Sequence, residues 1–308
     1  MENHIGIQDL FRGKNKAFAQ QLIDIVNGLN DYWPLTVRQV FYQAVKDGYI
    51  SSNVNEYRKV SRDLTKLRRA DILPWHTITD RTRRLIDKRG YTDLEEHIRA
   101  YSHGLFNCYD RCLVQNQKYY IELFTEKDAL SQIFEDVAWP YCVRVVVCRG
   151  QISATFLKGY SDRASIAISK GQEPIIIYLG DLDPSGWAIP RSIISKLVEY
   201  HDLGITLIRA ALNPKQISEF DLPQFFDAIK KTDPNYKEYF KVHGNTAVEL
   251  DALHPAALTE IIENSLRDVL DLEDMDCQRG IEAEERKKLK RLERAFQRSA
   301  FQEGIRLD

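Results

Sequence analysis

The chain has 308 residues, of which 44% are hydrophobic, and its formal net charge is −2. This length and composition predict a globular protein with a substantial core, built as one large or two ordinary domains. The longest apolar runs are far shorter than the roughly 20 residues of a membrane span, and the first residues lack the apolar core of a signal peptide. We therefore expect a cytoplasmic protein without a membrane partner.

The cysteines argue against two classes of small scaffold. They lie at Cys108, Cys112, Cys142, Cys148 and Cys277. An odd number without paired C-x-x-C spacing favours neither a disulfide framework nor a zinc site.

Residues 1–100 show mainly helical patterns, with apolar residues at three- and four-residue spacing. The helical segments are AFAQQLIDIVNGL, TVRQVFYQAVKDGY and NEYRKVSRDLTKLRRADI. Thr36 is a suitable cap for the second segment, and Gly48 a suitable end. Three short helices with a basic third one are typical of a helix-turn-helix or winged-helix module, whose basic helix enters the major groove. With ILPWHTITD as a small wing, residues 1–115 are predicted to be a winged-helix DNA-binding domain.

A local excess of positive charge in the third helical segment points to a polyanionic partner. Its basic residues are Arg58, Lys59, Arg62, Lys66, Arg68 and Arg69. A second run contains Arg81, Arg83, Arg84, Lys88 and Arg89. The last helical segment, ERKKLKRLERAFQR, is basic again, but there we favour a solvated helix face. We expect the six residues of the first run to bind DNA phosphates, which position a protein without specifying sequence.

From about residue 116 the pattern changes to strands that alternate with helices, which predicts a parallel sheet. The strand segments are YYIELF, VRVVVC, PIIIYL and ITLIRAAL, and TAVELDALHPAAL is expected to be a further strand that leads into a helix. The expected fold is therefore α/β, with a Rossmann-like parallel sheet over residues 116–270 and a helical C-terminal tail over residues 271–308.

Acidic side chains follow two of the predicted strands. Asp181 and Asp183 come directly after the strand in IIIYLGDLDPSGW, and Glu126 follows the first strand in FTEKDAL. Ligands of open α/β sheets bind beyond the carboxyl ends of the strands, and residues two apart in extended chain point the same way. Carboxylates from two strand ends are ligands that Mg²⁺ uses while it keeps water molecules for a phosphate. The sequence thus predicts a Mg²⁺ site formed by these three acids.

Other interpretations of the acids remain open. An aspartate before a helix is commonly a turn former or an N-cap, and Glu126 alone would suit a helix N-terminus. An EF-hand is excluded because the twelfth position, counted from Asp181, is Ser192 and not glutamate. A phosphatase with Asp181 as nucleophile stays possible. Glu249 and Asp251 are two more acids at a predicted strand end, and for them we favour a structural role over a metal role.

Two sets of motifs together resemble one enzyme family. The Glu126-Lys127 pair that closes a strand, the glycine in CRGQIS and the GDLDPSG segment resemble the Toprim domain of the topoisomerase VI A subunit and its meiotic double-strand-break relative. In that family a winged helix carries an Arg-x-x-aromatic-Tyr motif, which here reads Arg38-Gln39-Val40-Phe41-Tyr42. The motifs occur in the family's order over roughly residues 30–200. The chain is most similar to the short mini-A members and less similar to the Toprim nuclease of plasmid-defence systems.

The resemblance implies a mechanism and partners. Tyr42 would attack a DNA phosphodiester and form a 5′-phosphotyrosyl bond, while Arg38, on the same helical face, would stabilise the phenolate or the pentacoordinate phosphate. Mg²⁺ bound to the three acids would stabilise charge on the phosphate and the leaving oxygen. The family also implies a homodimer that cuts double-stranded DNA, with tyrosine and metal site from different subunits. This chain has no P-loop, so strand passage driven by ATP would require a separate ATPase subunit of the B type.

The chain departs from the family in having a single candidate nucleophile, since Phe41 stands where many members have a second tyrosine. Two alternatives to tyrosine chemistry remain. The first is a Toprim endonuclease in which the metal site activates water. The second is a noncatalytic DNA-binding or assembly factor with a relic metal site. From periodicity alone, Tyr42 would be a core residue of an amphipathic helix. With DNA as partner, we expect the cytoplasmic protein to be associated with the nucleoid.

Overall fold

The computed structural model describes residues 6–79, 90–150, 152–226 and 229–307. The second basic run, Arg81 to Arg89, lies outside these ranges. The chain divides into two compact units: Met1–Arg83 with Tyr119–Asp268, and Arg84–Lys118 with Val269–Asp308. The predicted domain boundaries at residues 115 and 270 stay predictions. None of the described helices is long and apolar enough to cross a membrane.

The first unit begins with four helices. They are α1 (Ile7–Leu10), α2 (Lys14–Gly28), α3 (Val37–Lys46) and α4 (Val54–Arg69). Helices α2, α3 and α4 pack against one another. Helix α3 begins as predicted at Thr36, which forms a capping box with Gln39: Gln39 N donates to Thr36 Oγ1 at 3.1 Å, and Thr36 N donates to Gln39 Oε1 at 2.8 Å. These two bonds satisfy backbone groups that a helix start leaves open.

A parallel sheet of four strands follows, as the alternating pattern predicts. Its strands are β1 (Tyr119–Thr125), β2 (Arg144–Val147), β3 (Glu173–Leu179) and β4 (Thr206–Ala211), in the order β2-β1-β3-β4. Strands β1 and β3 are central neighbours, paired from Tyr119 opposite Glu173 to Thr125 opposite Leu179. Their carboxyl ends therefore lie side by side.

Helices alternate with the strands and follow them. They are α6 (Ser131–Ala138), α7 (Ala154–Ser169), α8 (Pro184–His201), α9 (Pro214–Glu219), α10 (Tyr236–His243) and α11 (Pro255–Arg267). Helix α5 (Leu94–Asn107) belongs to the second unit. Helices α7 and α8 share a core with the sheet, in which Phe124, Tyr160 and Ile193 are fully enclosed. Helices α6 and α11 pack against each other and against strands of the sheet. Burial of β3 on both faces explains its continuous apolar run.

Two sequence predictions differ from the structure. TAVELDAL is not a strand of the sheet: Val248 forms one antiparallel bridge with Leu182, and residues Leu250–Ala252 form a 3₁₀ turn. The backbone N–H of Leu250 binds a side chain of the acidic loop instead of another strand. In ILPWHTITD, residues Trp75–Thr77 form a 3₁₀ turn. Over the described residues 72–79 there is no wing hairpin, so the finer winged-helix assignment stays a prediction.

The second unit contains α5 (Leu94–Asn107) and α12 (Leu272–Gln302), which contact each other. Helix α12 is the helical tail that the sequence predicts. It begins at Asp271, whose side chain accepts from the backbone N–H groups of Glu273 and Asp274. Arg111 binds both carboxylate oxygens of Glu285 at 3.0 and 3.1 Å, which ties the loop after α5 to α12.

Candidate functional site

The carboxyl ends of β1 and β3 bring the predicted acids together in the first unit. Glu126 follows β1, and its Oε1 accepts a 2.6 Å hydrogen bond from Asp181 N, the second residue after β3. This contact joins the two strand ends directly. The sequence prediction that Glu126 and the Asp181 loop meet at one edge of the sheet is therefore confirmed in its geometry.

Asp183 is the N-cap of α8. Its Oδ1 accepts from Gly186 N at 2.6 Å, which leaves Oδ2 outside the cap. Gly186 lies so close to the loop that a Cβ at this position would overlap the Asp181 carbonyl oxygen. The close turn of the DPSG segment thus requires glycine here. The N-cap interpretation is correct for Asp183, and it does not remove its carboxylate from the acidic cluster.

Asp181 points away from the cap, toward a buried lysine. Its Oδ1 accepts from Leu250 N at 2.7 Å, and its Oδ2 lies 2.7 Å from Lys127 Nζ. The same ammonium lies 3.2 Å from Asp251 Oδ2. Burial alone would lower the pKa of Lys127, but Asp251 and Asp181 outweigh burial and raise it above the ordinary value. Lys127 is therefore a charged ammonium between two carboxylates.

The acids influence one another electrostatically. Burial raises the pKa of Glu126 to about 8, and the charge of Asp181 adds to the shift. Burial also raises the pKa of Asp183, again with a contribution from Asp181. The Lys127 ammonium offsets only part of the cost of holding these carboxylates together, and a divalent cation would offset more of it.

An all-oxygen donor set of this kind fits Mg²⁺ in its chemistry. Glu126, Asp181 and Asp183 are the residues that would hold it. Their carboxylates now have other partners, namely a backbone N–H, an ammonium and a helix cap. Over the ranges that the structure covers, no group of three or more His, Cys, Asp or Glu side chains is arranged to hold a metal ion. The donors are thus close to one another, but they are not gathered around a common point.

Tyr42 and Arg38 both contact one oxygen of Glu249. The Tyr42 hydroxyl donates to Glu249 Oε2 at 2.8 Å, and Arg38 Nε lies 3.1 Å from the same atom. Their predicted position on one face of α3 is confirmed by this shared partner. Tyr42 is only 1% exposed. Burial, followed by the charge of Glu249, raises the pKa of Tyr42 far above its ordinary value, and Arg38 only partly opposes this. In this conformation Tyr42 is a protonated phenol without access to a DNA phosphate.

Arg209 of β4 holds the acidic loop through its backbone. Its guanidinium donates to the carbonyl oxygens of Gly180, Asp181, Gly186 and Leu212 at 2.6 to 3.2 Å. This fork satisfies acceptors on both sides of the turn. The fixed positive charge also lies next to the acids, so Arg209 is a positioning residue of the site.

The six predicted DNA-binding residues all lie on α4, but they do not share one environment. Four side chains are exposed: Arg58, Arg62, Lys66 and Arg69. Lys59 Nζ lies 4.4 Å from the centre of the Phe18 ring, and Arg68 stacks at 5.1 Å over Trp75. The first three exposed residues follow one another at four-residue spacing, so they form one stripe along the helix. Lys59 and Arg68 are instead partly buried against these rings, and Lys66, although exposed, also lies 5.4 Å from the centre of the Phe11 ring.

Three polar residues of the site were not assigned a role in binding or catalysis from the sequence. Lys127 enters the sequence prediction only as part of the Glu-Lys pair, and Arg209 enters it only within the predicted strand ITLIRAAL. Glu249 was expected to be structural, and its contacts with Arg38 and Tyr42 agree with that. An arginine inside a predicted strand is a signal that was available, because a charge that is partly removed from water requires partners.

Comparison with protein-family models finds no matching family, and comparison with curated proteins finds no relative. The resemblance to the topoisomerase VI A subunit therefore depends on the motifs and on the geometry described above.

Proposed function

We propose that this chain is a Mg²⁺-dependent DNA-cleaving enzyme of the topoisomerase VI A type. The observation that carries the proposal is the meeting of Glu126 with the Asp181 and Asp183 loop at the carboxyl ends of two neighbouring parallel strands. In open α/β sheets this edge is where ligands bind. Mg²⁺ bound there would supply charge stabilisation at the phosphate and the leaving oxygen.

In the proposed reaction the Tyr42 oxygen forms a bond to phosphorus, and the 3′-oxygen of the neighbouring nucleotide leaves. Glu249 is the hydrogen-bonded acceptor of the phenolic proton. Arg38 lies at the same oxygen, so it is placed to balance negative charge there or on the phosphate. Because Tyr42 is buried, attack requires α3 to move away from its present contacts and expose the hydroxyl.

The burial of Tyr42 favours a second candidate, in which water attacks the phosphodiester and the chain is a Toprim endonuclease. A phenol at 1% exposure, beside a carboxylate that raises its pKa, lacks both access and activation. In this candidate the contacts of Glu249 with Tyr42 and Arg38 are structural. The three acids would still hold Mg²⁺, which would stabilise charge on the phosphate. In a noncatalytic DNA-binding protein, the acid cluster would have no catalytic function.

The proposal extends to partners. Double-stranded DNA would contact the exposed basic stripe of α4, and a two-fold homodimer would place two metal sites on opposite strands. Strand passage driven by ATP would require a separate ATPase subunit. Within one chain, Tyr42 and the acids are already joined through Glu249 and its neighbour Leu250, which binds Asp181. A homodimer would supply one such site for each DNA strand, whichever subunit provides the tyrosine.

The test compares the full chain with Tyr42→Phe and with a matched control, Tyr160→Phe. Tyr160 is equally buried but lies in the core between the sheet and α7. End-labelled DNA is incubated with Mg²⁺ and analysed in denaturing gels for strand breaks and for DNA covalently attached to protein. Tyrosine chemistry predicts breaks and adduct for the wild type and for Tyr160→Phe, and neither for Tyr42→Phe. Unchanged cleavage by Tyr42→Phe, without any covalent protein–DNA adduct, would show that water is the nucleophile. If none of the three proteins produces Mg²⁺-dependent breaks, both enzymatic candidates are contradicted.

A further inference from the structure

A buried carboxylate outside the predicted set lies at the edge of the acid cluster. Asp251 is 2% exposed, and its side chain points to the ammonium of Lys127, with 3.2 Å between Oδ2 and Nζ. Neither oxygen of Asp251 receives a hydrogen bond from any described group. The ion pair thus lacks hydrogen-bond geometry, and Oδ1 has no donor among the residues that the structure describes. A buried carboxylate without hydrogen-bond donors is uncommon, and a bound ion or water is one physical explanation for it.

The neighbouring acid Glu249 is different, although it lies only two residues away. Its Oε2 is occupied by the Tyr42 hydroxyl and by Arg38 Nε. Asp181, by contrast, offers Oδ2 to the same ammonium as Asp251, at 2.7 Å. Asp181 and Asp251 therefore face a common cation, which in this structure is the Lys127 ammonium.

We infer that Asp251 is a further ligand of the divalent cation and that Lys127 occupies the position between Asp181 and Asp251 when that cation is not bound. This inference rests on the proposed metal site. The cation that fits is a hard one such as Mg²⁺, because both donors are carboxylate oxygens. A divalent cation held by these two carboxylates would displace the Lys127 ammonium from its present contacts with Asp181 and Asp251.

The inference explains why a lysine and an unsatisfied aspartate are buried together. A buried ion pair is favourable only where further hydrogen bonds satisfy its remaining atoms, and Asp251 lacks them. A site that exchanges an ammonium for a divalent cation needs such a loosely held acid. It also explains why the three predicted acids are not gathered around one point, since the ammonium draws Asp181 toward Asp251.

The experiment measures Mn²⁺ affinity of the full chain without DNA, from the electron paramagnetic resonance signal of free Mn²⁺. Asp251→Asn is compared with Glu249→Gln, which removes the same charge two residues away from an acid whose oxygen is already occupied. We expect Asp251→Asn to weaken Mn²⁺ binding about tenfold or more, and Glu249→Gln to change it much less. Lys127→Met removes the competing ammonium and should tighten binding.

A double variant guards against loss of folding. Lys127→Met with Asp251→Asn removes both charges of the pair and keeps the net charge of the wild type. We expect this double variant to bind Mn²⁺ about tenfold or more weakly than Lys127→Met alone. Equal affinities of these two proteins, or equal effects of Asp251→Asn and Glu249→Gln, would overturn the ligand role of Asp251 while leaving the metal site in place. A wild-type chain that binds no Mn²⁺ would contradict the proposed metal site itself.

Discussion

Tyr42 donates its hydroxyl hydrogen to Glu249 Oε2 over 2.8 Å, although the two residues are 207 positions apart in the chain. The residue after Glu249, Leu250, donates its backbone N–H to Asp181 at 2.7 Å. Helix α3 is therefore connected to the acidic loop by two consecutive hydrogen bonds. A change in the position of α3, for example on DNA binding, would be transmitted to Asp181.

The Tyr42–Glu249 contact should contribute measurably to stability. Tyr42→Phe leaves a buried carboxylate with one donor fewer, so we expect the free energy of unfolding in urea to fall by about 1–3 kcal/mol. Tyr160→Phe is the control, because the Tyr160 hydroxyl has no hydrogen-bond partner among the described residues. Its removal should be neutral or slightly stabilising. Equal losses in the two variants would show that the contact with Glu249 contributes nothing.

Without divalent cations, stability should depend on pH through Glu126. Its pKa rises from 4.5 to about 8 on folding, so the folded protein binds this proton more tightly than the unfolded chain does. The corresponding stabilisation is present below pH 4.5 and is lost as the pH rises toward 8, at no more than about 1.4 kcal/mol per pH unit. Thermal unfolding between pH 5 and 8 should show this decline for the wild type. Glu126→Gln should flatten it, and a slope identical to the wild type would refute the assignment.

Arg209 should be irreplaceable by lysine. The guanidinium donates to four carbonyl oxygens around the acidic loop, and an ammonium lacks the planar fork that reaches them. We expect Arg209→Lys to lower the free energy of unfolding by on the order of 3 kcal/mol and to weaken divalent-ion binding. Arg267→Lys, at an exposed ion pair of 4.0 Å in α11, is the matched control and should change neither quantity. If Arg209→Lys unfolds with the same free energy as the wild type, Arg209 does not position the acidic loop.

DNA affinity should follow the exposed stripe of α4. Arg58→Gln with Arg62→Gln should weaken binding to duplexes of any sequence and reduce the salt slope by about 2, one for each lost phosphate contact. Fluorescence anisotropy at several salt concentrations measures both quantities. Lys287→Gln with Lys290→Gln removes the same charge from α12, where we expect a solvated face and hence a smaller effect. If the α12 pair has the larger effect, the DNA surface lies elsewhere.

The sequence predicts the sheet and the helices of the first unit well because their signals are local. The apolar run Ile175 to Leu179 is buried on both faces, and the cap at Thr36 needs only its own helix. TAVELDAL was misassigned as a strand because its alternation reflects burial against the acidic loop and not pairing in the sheet. Val248 finds a single partner, Leu182, which no local pattern specifies.

The same difference between local signals and long-range contacts applies to the candidate site. The acids Glu126, Asp181 and Asp183 were found because each follows a strand, and parallel strands bring such residues to one edge. The partners of Lys127 and Glu249 depend on contacts across more than 50 residues, which spacing does not determine. The burial of Tyr42 follows from the packing of α3 against the turn at Leu250–Ala252. The sequence pattern predicts a strand for this segment.

The most direct test of the central claim is Mg²⁺-dependent breakage of supercoiled plasmid DNA by Asp183→Asn. Asparagine caps a helix as well as aspartate does, so this variant keeps the bond to Gly186 N and removes only the charge. Glu199→Gln, an exposed acid of the same helix, is the control. We predict that the wild type and Glu199→Gln break the plasmid with Mg²⁺ and not with EDTA, and that Asp183→Asn does not break it. Breakage by Asp183→Asn at the wild-type rate would contradict a metal site formed by these acids.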